Sequence, residues 1–354
     1  MKFILCSDLH LKETEKEYCL SVLKEIIGLC CQHKCSALFF AGDVFDSRQS
    51  LKALRADFRT ALELLPASCS VYFLTGNHEE LRAQDSETLE SYDFGRAKLL
   101  AAKPWTLHEI TPDTELLAVP FQRDYSGYRD WEVPPKNKPF RILLAHGTVL
   151  GMSYTGPTEE LDSVLDEDIF DFFKADLAAL GHLHKQVIKK GKTIIAYPGS
   201  ARVWREGEEG KRCVLLGNTE TGISLQPLYL VSAGEYHVIS VYASPEGDLR
   251  YELPAETTSH DWLHLELWGV VEDETSVLAA FEKIKTELEK KCRKISSSEN
   301  LTVLAGISAH PLAGRFLRVW EDSKNQYNNE ESGVYDLARL QGLLTLKDIL
   351  EKIK

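Results

Sequence analysis

"LTGNHEE", residues 74–80, closes an apolar run, Val71-Tyr72-Phe73-Leu74, with Thr-Gly and then an amide, an imidazole and two carboxylates. A short apolar run that stops at a turn signal is the pattern of a buried strand. The polar cluster at its end is not isolated. Lys2–Cys6 is followed by "SDLH", with Asp8 and His10, and Ala37–Ala41 by "GDVFD", with Asp43 and Asp46. Arg141–Ala145 runs into His146, and Asp176–Leu180 into "GHLH", with His182 and His184. Five expected strands therefore end in oxygen or imidazole groups, and in open α/β sheets sites form at the carboxyl ends of strands. Asn77 and His78 are expected to join the other four clusters in one shared site.

Helix-period segments separate these runs. Tyr18–Cys31 carries Leu20, Leu23, Ile27 and Cys31 at helical spacing, and Leu51–Leu65 is again amphipathic. Alternating strand and helix predicts an α/β sheet with covered faces. Glu159–Asp171, with Leu161, Val164, Leu165 and Ile169, predicts a helix with an acidic outer face. From Thr193 the texture changes. "TIIAYPGSARVW", "KRCVLLGNTETGISLQPLYL" and "HVISVYA" predict consecutive antiparallel strands, with "GNTETG" as a hairpin connection. A strand in "HLELWGVV", a helix over Glu274–Lys291 and a strand in "LTVLAGISA" then predict a small α+β domain. The expected division is 1–233, 234–325, and 326–354 as a polar linker ("NQYNNEES", Asn325–Ser332) and an amphipathic terminal helix with Leu346, Ile349, Leu350 and Ile353.

Bulk composition narrows the function classes. The chain has 354 residues, 44% of them hydrophobic and 27% charged, enough apolar residues to bury a core and too many for a disordered chain. The net charge of −13 excludes a protein that binds polyanions over its whole surface, though not one with local basic clusters. The eight cysteines form no CxxC pair, and His33 beside Cys30, Cys31 and Cys35 lacks the second ligand pair of a zinc site. They are expected to be reduced thiols in a cytoplasmic protein. The "MKFILCSDLH" start has too short an apolar run for a signal peptide, and no run approaches the roughly 20 apolar residues of a membrane span.

The strand-end residues define a chemistry. Asp8, His10, Asp43, Asn77, His146, His182 and His184 mix carboxylate, amide and imidazole, a donor set for Mn²⁺, Fe²⁺ or Zn²⁺ rather than a thiolate metal site. Two ions about 3.5–4 Å apart need a bridging group, and Asp43 is the natural bridging carboxylate. His78, next to a ligand, is expected to face the substrate as a catalytic histidine. Asp46 is expected to hold its other ring nitrogen, which raises imidazole basicity. Any one of these motifs alone would be as well explained by a turn cap; all five in order at strand ends would not. For substrate contacts the sequence offers Lys185, Arg202 and Arg205, with Trp204 among them.

The ordered pattern D-x-H, GD-x-x-D, GNHE, H, GH-x-H resembles that of the calcineurin-like metallophosphoesterase superfamily, over roughly residues 1–230. Within it, "MKFILCSDLHL", "LFFAGDVFDS", "VYFLTGNHE", "ILLAHGTV", "FDFFKADLAALGHLHK" and "YPGSARVW" are similar to stretches of the SbcD-type DNA repair exonucleases. The resemblance implies a four-layer αββα sandwich with the metal site between two sheets, followed by a small α+β capping domain. It implies one metal on Asp8, His10, Asp43 and His184, and another on Asp43, Asn77, His146 and His182, with Mn²⁺ as the cofactor. The implied activity is DNA exonuclease or endonuclease cleavage in repair, by in-line attack of a metal-bridging hydroxide. The alternative is the same chemistry on small phosphodiesters, nucleotides or phosphoproteins. A non-catalytic scaffold is disfavoured because the seven ligand positions and His78 are all present. The resemblance further implies DNA, a coiled-coil SMC-like ATPase of the SbcC type and a homodimer as partners. Two features depart from it. Archaeal and eukaryotic relatives carry His where Asp46 stands, whereas bacterial ones carry Asp. Only the helix near Leu344–Ile353 is left to meet the ATPase, and packing on its own domain is the simpler expectation.

Overall fold

Five-residue apolar runs form the centre of each large sheet in the computed structural model, which describes residues 1–80, 88–149, 152, 163–244, 247–303, 310–323 and 332–353. The chain divides into two units, Met1–Glu235 and Tyr236–Lys354. In the first, β1 (Lys2–Cys6), β2 (Ala37–Ala41), β3 (Ser70–Leu74) and β4 (Ala97–Leu100) run parallel to one another. A second sheet holds β5 (Thr106–Thr111), β6 (Thr114–Val119), β7 (Phe140–His146), β10 (Leu177–Gly181), β11 (Val187–Lys189) and β12 (Ile194–Tyr197), in the order β11-β12-β10-β7-β6-β5. Between β7 and β10, β8 (Thr148–Val149) and β9 (Val164–Leu165) pair as a small ladder. The chain then returns to the first sheet, where β13 (Cys213–Asn218) pairs antiparallel with β1 and β14 (Ser224–Tyr229) forms the edge.

Alternation along each strand divides the apolar side chains between two faces. Phe3, Phe39 and Leu74 point to one side and meet Leu116, Ile142, Leu144 and Leu177 of the second sheet, so the two sheets pack face to face. Ile4, Phe40 and Phe73 point the other way, onto Leu23 and Ile27 of α1 (Lys16–His33) and Phe58 of α2 (Arg48–Leu62). On the far face of the second sheet, Leu117, Leu143 and Leu180 meet Tyr128, Ile169 and Phe170. The last two lie on α3 (Asp168–Phe172), a helix of 5 residues. This is a four-layer αββα sandwich whose second helical layer is thin. Ser47 caps α2, accepting a bond from the Ser50 amide at 3.2 Å.

The second unit has one sheet, β16-β15-β17-β18, built from β15 (Tyr236–Ala243), β16 (Leu249–Arg250), β17 (Trp262–Val271) and β18 (Lys294–Val303). Its three long strands are parallel. The crossover helix α4 (Glu274–Leu288), capped by the Asp273 carboxylate, lays Val277, Phe281 and Leu288 on Ile239, Leu263 and Leu265. Then come α5 (Pro311–Ser323) and α6 (Ser332–Ile353), where Phe316 and Leu343 cluster with Val270.

Several expectations change. Val164 and Leu165 lie in β9, not in an acidic helix, because their amide and carbonyl groups ladder with Thr148 and Val149; only Asp168–Phe172 is helical, and residues 159–162 of the expected helix lie outside the described residues. The three stretches expected to give antiparallel neighbours after Thr193 lie in three different sheets, although "GNTETG" does join the β13–β14 hairpin. Residues 325–331 of the expected linker and 304–309 of "LTVLAGISA" lie outside the described residues. The terminal helix begins at Ser332, well before Leu344.

Candidate metal centre

At the carboxyl ends of β1 and β2 the two loops zip together: the Asp8 amide donates to the Gly42 carbonyl at 3.1 Å, His10 to Asp43 at 2.9 Å and Leu11 to Val44 at 2.8 Å. The zipper holds Asp8 (φ 50°), His10 (φ 42°) and Asp43 (φ 52°) in the left-handed region, and His182 shares it at φ 99°. Such a backbone costs an L residue on the order of 1–2 kcal/mol. Four of the seven expected ligands thus sit in strained positions that the surrounding hydrogen bonds must enforce. Two glycines make room. A Cβ on Gly76 would stand 2.1 Å from Asp43 Oδ1, and one on Gly42 (φ +93°) would stand 2.2 Å from His146 Nδ1. The "GN" and "GD" of the motifs are therefore close-approach positions.

The structure brings the expected ligands together. Asp8, His10 and His184 offer donor atoms within 4.8 Å of one another, as do Asp43, His146 and His182. Asn77 Oδ1 lies 2.9 Å from His146 Nε2 and 3.2 Å from His182 Nδ1. Asp43 stands between the groups, with Oδ2 at 3.3 Å from His146 Nε2 and 4.0 Å from His10 Nε2. Asp43 Oδ1 accepts the His78 amide at 2.9 Å, and the Asp8 carboxylate accepts the His182 amide at 3.0 Å.

Hydrogen bonds to the outer ring nitrogens decide what the inner ones can do. A carbonyl only accepts, so His146 Nδ1, 2.7 Å from the Ala41 oxygen, carries a proton, and its Nε2 lone pair faces Asp43 Oδ2 and Asn77 Oδ1. His184 Nδ1 likewise donates to Glu208 Oε1 at 2.5 Å, which turns its Nε2 toward Asp8 Oδ1 at 3.8 Å and His10 Nε2 at 3.3 Å. Lone pairs aimed at carboxylate oxygens and at each other call for a cation. A proton is one answer: burial opposes charge on His146, but the Asp43 carboxylate outweighs burial and its pKa is pushed up to about 9. His184 is raised against burial by Glu208. Burial holds His10 well below the usual histidine range, and its buried Nδ1 has no hydrogen-bond partner among the described residues. Burial raises Asp8, whereas Asp43 is held low, against its own burial, by the neighbouring His146. The other answer is a pair of divalent metals, and the donor set of hard oxygens and imidazoles around a shared carboxylate fits them.

Three expected roles are placed differently. His78 Nδ1 donates to the backbone carbonyl of Asp46, at 2.6 Å, and not to its carboxylate. That carboxylate instead accepts Trp204 Nε1 at 2.5 Å and pairs with Lys12 at 3.6 Å. Arg202, expected at the substrate, is fully buried. Its guanidinium donates to the carbonyls of Leu9 (2.9 Å) and His10 (2.6 Å) and to the Glu15 carboxylate (2.9 Å), so it braces the Asp8–His10 loop from behind. Arg205 lies over the Trp204 ring and pairs with Glu208 at 3.6 Å. Lys185 is exposed.

Two further residues, Glu79 and Glu208, join the site without having been singled out for it. Glu79 accepts from three backbone amides, Asp43 (3.0 Å), Phe45 (2.9 Å) and Gly76 (2.9 Å), which ties the β2 and β3 loops together. Burial, with Asp43 nearby, pushes its pKa up to about 7. The last letter of "GNHE" was its only signal. Glu208 orients His184, and nothing in "WREGEEG" separates it from its acidic neighbours. Trp204 stacks on His10, ring centroids 4.1 Å apart and planes 9° apart.

Residues 1–186, which hold every ligand candidate, match the family described as Calcineurin-like phosphoesterase. The DNA double-strand break repair protein Mre11 of Methanocaldococcus jannaschii is 26% identical over 219 residues, which cover 57% of this chain and 57% of that protein. The chain thus spans less than two thirds of the length of the curated relative it matches. Among solved structures, the protein TT1561 of Thermus thermophilus aligns with 60% of this chain and 93% of its own, at 11% identity and a TM-score of 0.36. A dimetal phosphatase from Danio rerio aligns with 65% of this chain and 98% of its own, at 10% identity and a TM-score of 0.40.

Proposed function

The chain belongs to the calcineurin-like phosphoesterase family, and from that premise we propose that it is a dinuclear-metal phosphodiesterase of the SbcD type, cutting DNA. The observation that carries the dinuclear reading is Asp43, whose Oδ2 lies between the His10 and His146 rings. Asp8, His10, Asp43 and His184 would hold one metal, and Asp43, Asn77, His146 and His182 the other. When bound, the two ions supply Lewis-acid charge to a phosphate and lower the pKa of a water toward ~7. The chain's own part is positioning. The Ala41 carbonyl and Glu208 fix two imidazole tautomers, and Glu79 holds two ligand loops at one spacing. With its Nδ1–H committed to the Asp46 carbonyl, His78 has Nε2 left to neutralise charge on the phosphate or pass a proton to the leaving oxygen.

DNA as the substrate is supported by the likeness to Mre11, named a DNA double-strand break repair protein. The net charge of −13 favours a second reading, the same chemistry on a small phosphodiester, nucleotide or phosphoprotein. Residues 234–325 as a capping domain, an SMC-like ATPase partner, a homodimer, Mn²⁺ as the metal and a cytoplasmic location complete the proposal. Among the described residues, no helix is long and apolar enough to cross a membrane.

The test is Mn²⁺-dependent degradation of end-labelled DNA. His78→Ala is expected to bind metal normally and lose turnover by about 10²–10⁴-fold; surviving turnover would make His78 structural. Asp43→Asn is expected to lose both metals, and retention of one at full occupancy would refute the bridging role. Hydrolysis of bis-p-nitrophenyl phosphate without DNA cleavage would favour the second reading.

A further inference from the structure

The loop that carries His182 and His184 has a second side. His184, Lys185 and Gln186 line a cavity of about 310 Å³ that also takes in Lys211, Arg212 and Tyr229. The wall does not shift freely. The Ser200 amide donates to the His184 carbonyl at 3.1 Å, and a Cβ on Gly199 (φ +84°) would stand 2.8 Å from that same oxygen. The cavity is thereby fixed to a residue whose imidazole faces Asp8 and His10.

The charges are uneven. Arg212 is buried and held by the carbonyls of Glu208 (3.0 Å), Gly210 (3.1 Å) and His184 (3.3 Å), which set its position without cancelling its charge. Lys185 and Lys211 are exposed, and neither has an ion-pair or hydrogen-bond partner for its ammonium among the described residues. Glu209 is the one carboxylate among the described residues that lines the cavity. Tyr229, on the edge strand β14, is 59% exposed, an aromatic ring left in solvent beside two free ammonium groups. Free cations beside an open aromatic face are the components of a site for a nucleic acid strand: ammoniums take the phosphate, and the ring takes the base by stacking, without regard to sequence.

We propose that this cavity is a subsite for the nucleotide flanking the one being cut, with Lys185 and Lys211 on its phosphate and Tyr229 against its base. This rests on the phosphodiesterase reading above and specifies its substrate as a single-stranded segment of a polynucleotide. A small phosphodiester fills only the metal centre, while a polymer extends a second phosphate onto the far side of the His184 loop.

The test pairs two readouts on the whole chain: binding of a labelled single-stranded oligonucleotide by fluorescence anisotropy across a salt series, and Mn²⁺-dependent hydrolysis of bis-p-nitrophenyl phosphate. Lys211→Ala is expected to weaken oligonucleotide binding about three- to tenfold and to flatten the salt slope by about 0.7. Tyr229→Ala is expected to weaken it roughly tenfold, and Tyr229→Phe to restore it. Bis-p-nitrophenyl phosphate turnover should match the parent protein in all three variants. Unchanged affinity in both alanine variants overturns the subsite, as does a parallel loss of small-substrate turnover, which would make the residues structural. A parent protein that hydrolyses bis-p-nitrophenyl phosphate but binds no oligonucleotide also overturns the subsite and leaves the phosphodiesterase reading standing. Binding that depends on Lys211 and Tyr229 in a protein inert to both bis-p-nitrophenyl phosphate and the oligonucleotide overturns the subsite as a neighbour of a cut, because the catalytic reading on which it rests has then failed.

Discussion

Glu79 shows how one buried side chain can hold a site it does not itself enter. Its two oxygens collect the amides of Asp43, Phe45 and Gly76. Truncation would leave three buried N–H groups without an acceptor, each costing about 1–3 kcal/mol. Glu79→Ala is therefore expected to lose on the order of 3 kcal/mol or more of stability, together with metal binding, and a urea midpoint with a metal titration would show both. Loss of metal at unchanged stability would mean that the loops hold without it. The sequence announced the ligands themselves because Asp, His and Asn at strand ends are local features. It did not announce the residues that orient them. Glu208 lies 24 positions from His184, and Trp204 lies 158 positions from Asp46. No local pattern links such pairs.

At the scale of elements, the loops after β1 and β2 act as one piece, zipped by backbone bonds and backed by Arg202. Removing that guanidinium leaves two buried carbonyls and Glu15 without their donor. Arg202→Ala is expected to cost about 3 kcal/mol or more and to release metal at the Asp8–His10 side. Arg202→Lys should not restore it, since a single ammonium cannot serve two carbonyls and a carboxylate in the guanidinium's geometry. Denaturant midpoints of the two variants check this; a lysine variant at parental stability would refute it. The five strands that end in the site and the first two helices were legible from apolar periodicity, within a few residues at their ends, whereas β4, β5 and β6 were not read at all. Partners were not legible. β12 and β13 follow one another in the chain, yet β12 pairs with β10 and β11, and β13 pairs with β1 and β14. Alternation of side chains fixes a strand's faces and says nothing about its neighbours. Arg202 was misread for a related reason: composition places a basic residue near a site, but only the packing decides which way it points.

For the first unit as a whole, the site concentrates cost. Buried Asp8 and Asp43, converging imidazoles and four left-handed backbones all oppose folding locally. A ligand that binds the folded state alone offsets this by mass action, at about 2.7 kcal/mol per site for a hundredfold excess over Kd. The thermal midpoint of this unit is expected to rise with Mn²⁺ and fall with a chelator, followed by calorimetry. A midpoint indifferent to both would argue that the cluster holds protons rather than metals.

β1 lies between β2 and β13, and Lys2 is paired with Asn218. The second flank of the first strand is thus supplied by residues made some two hundred positions later. A ribosome adding about 5–20 residues per second needs roughly 10–40 s to reach them. Through that interval the nascent chain presents an open, apolar edge of the kind that seeds association between chains. A chain stopped at residue 212 is expected to aggregate on release while one stopped at 235 stays in solution, as light scattering during cell-free synthesis would report. Translation speed over this stretch, and whatever shields an emerging edge, would then set the yield of folded protein.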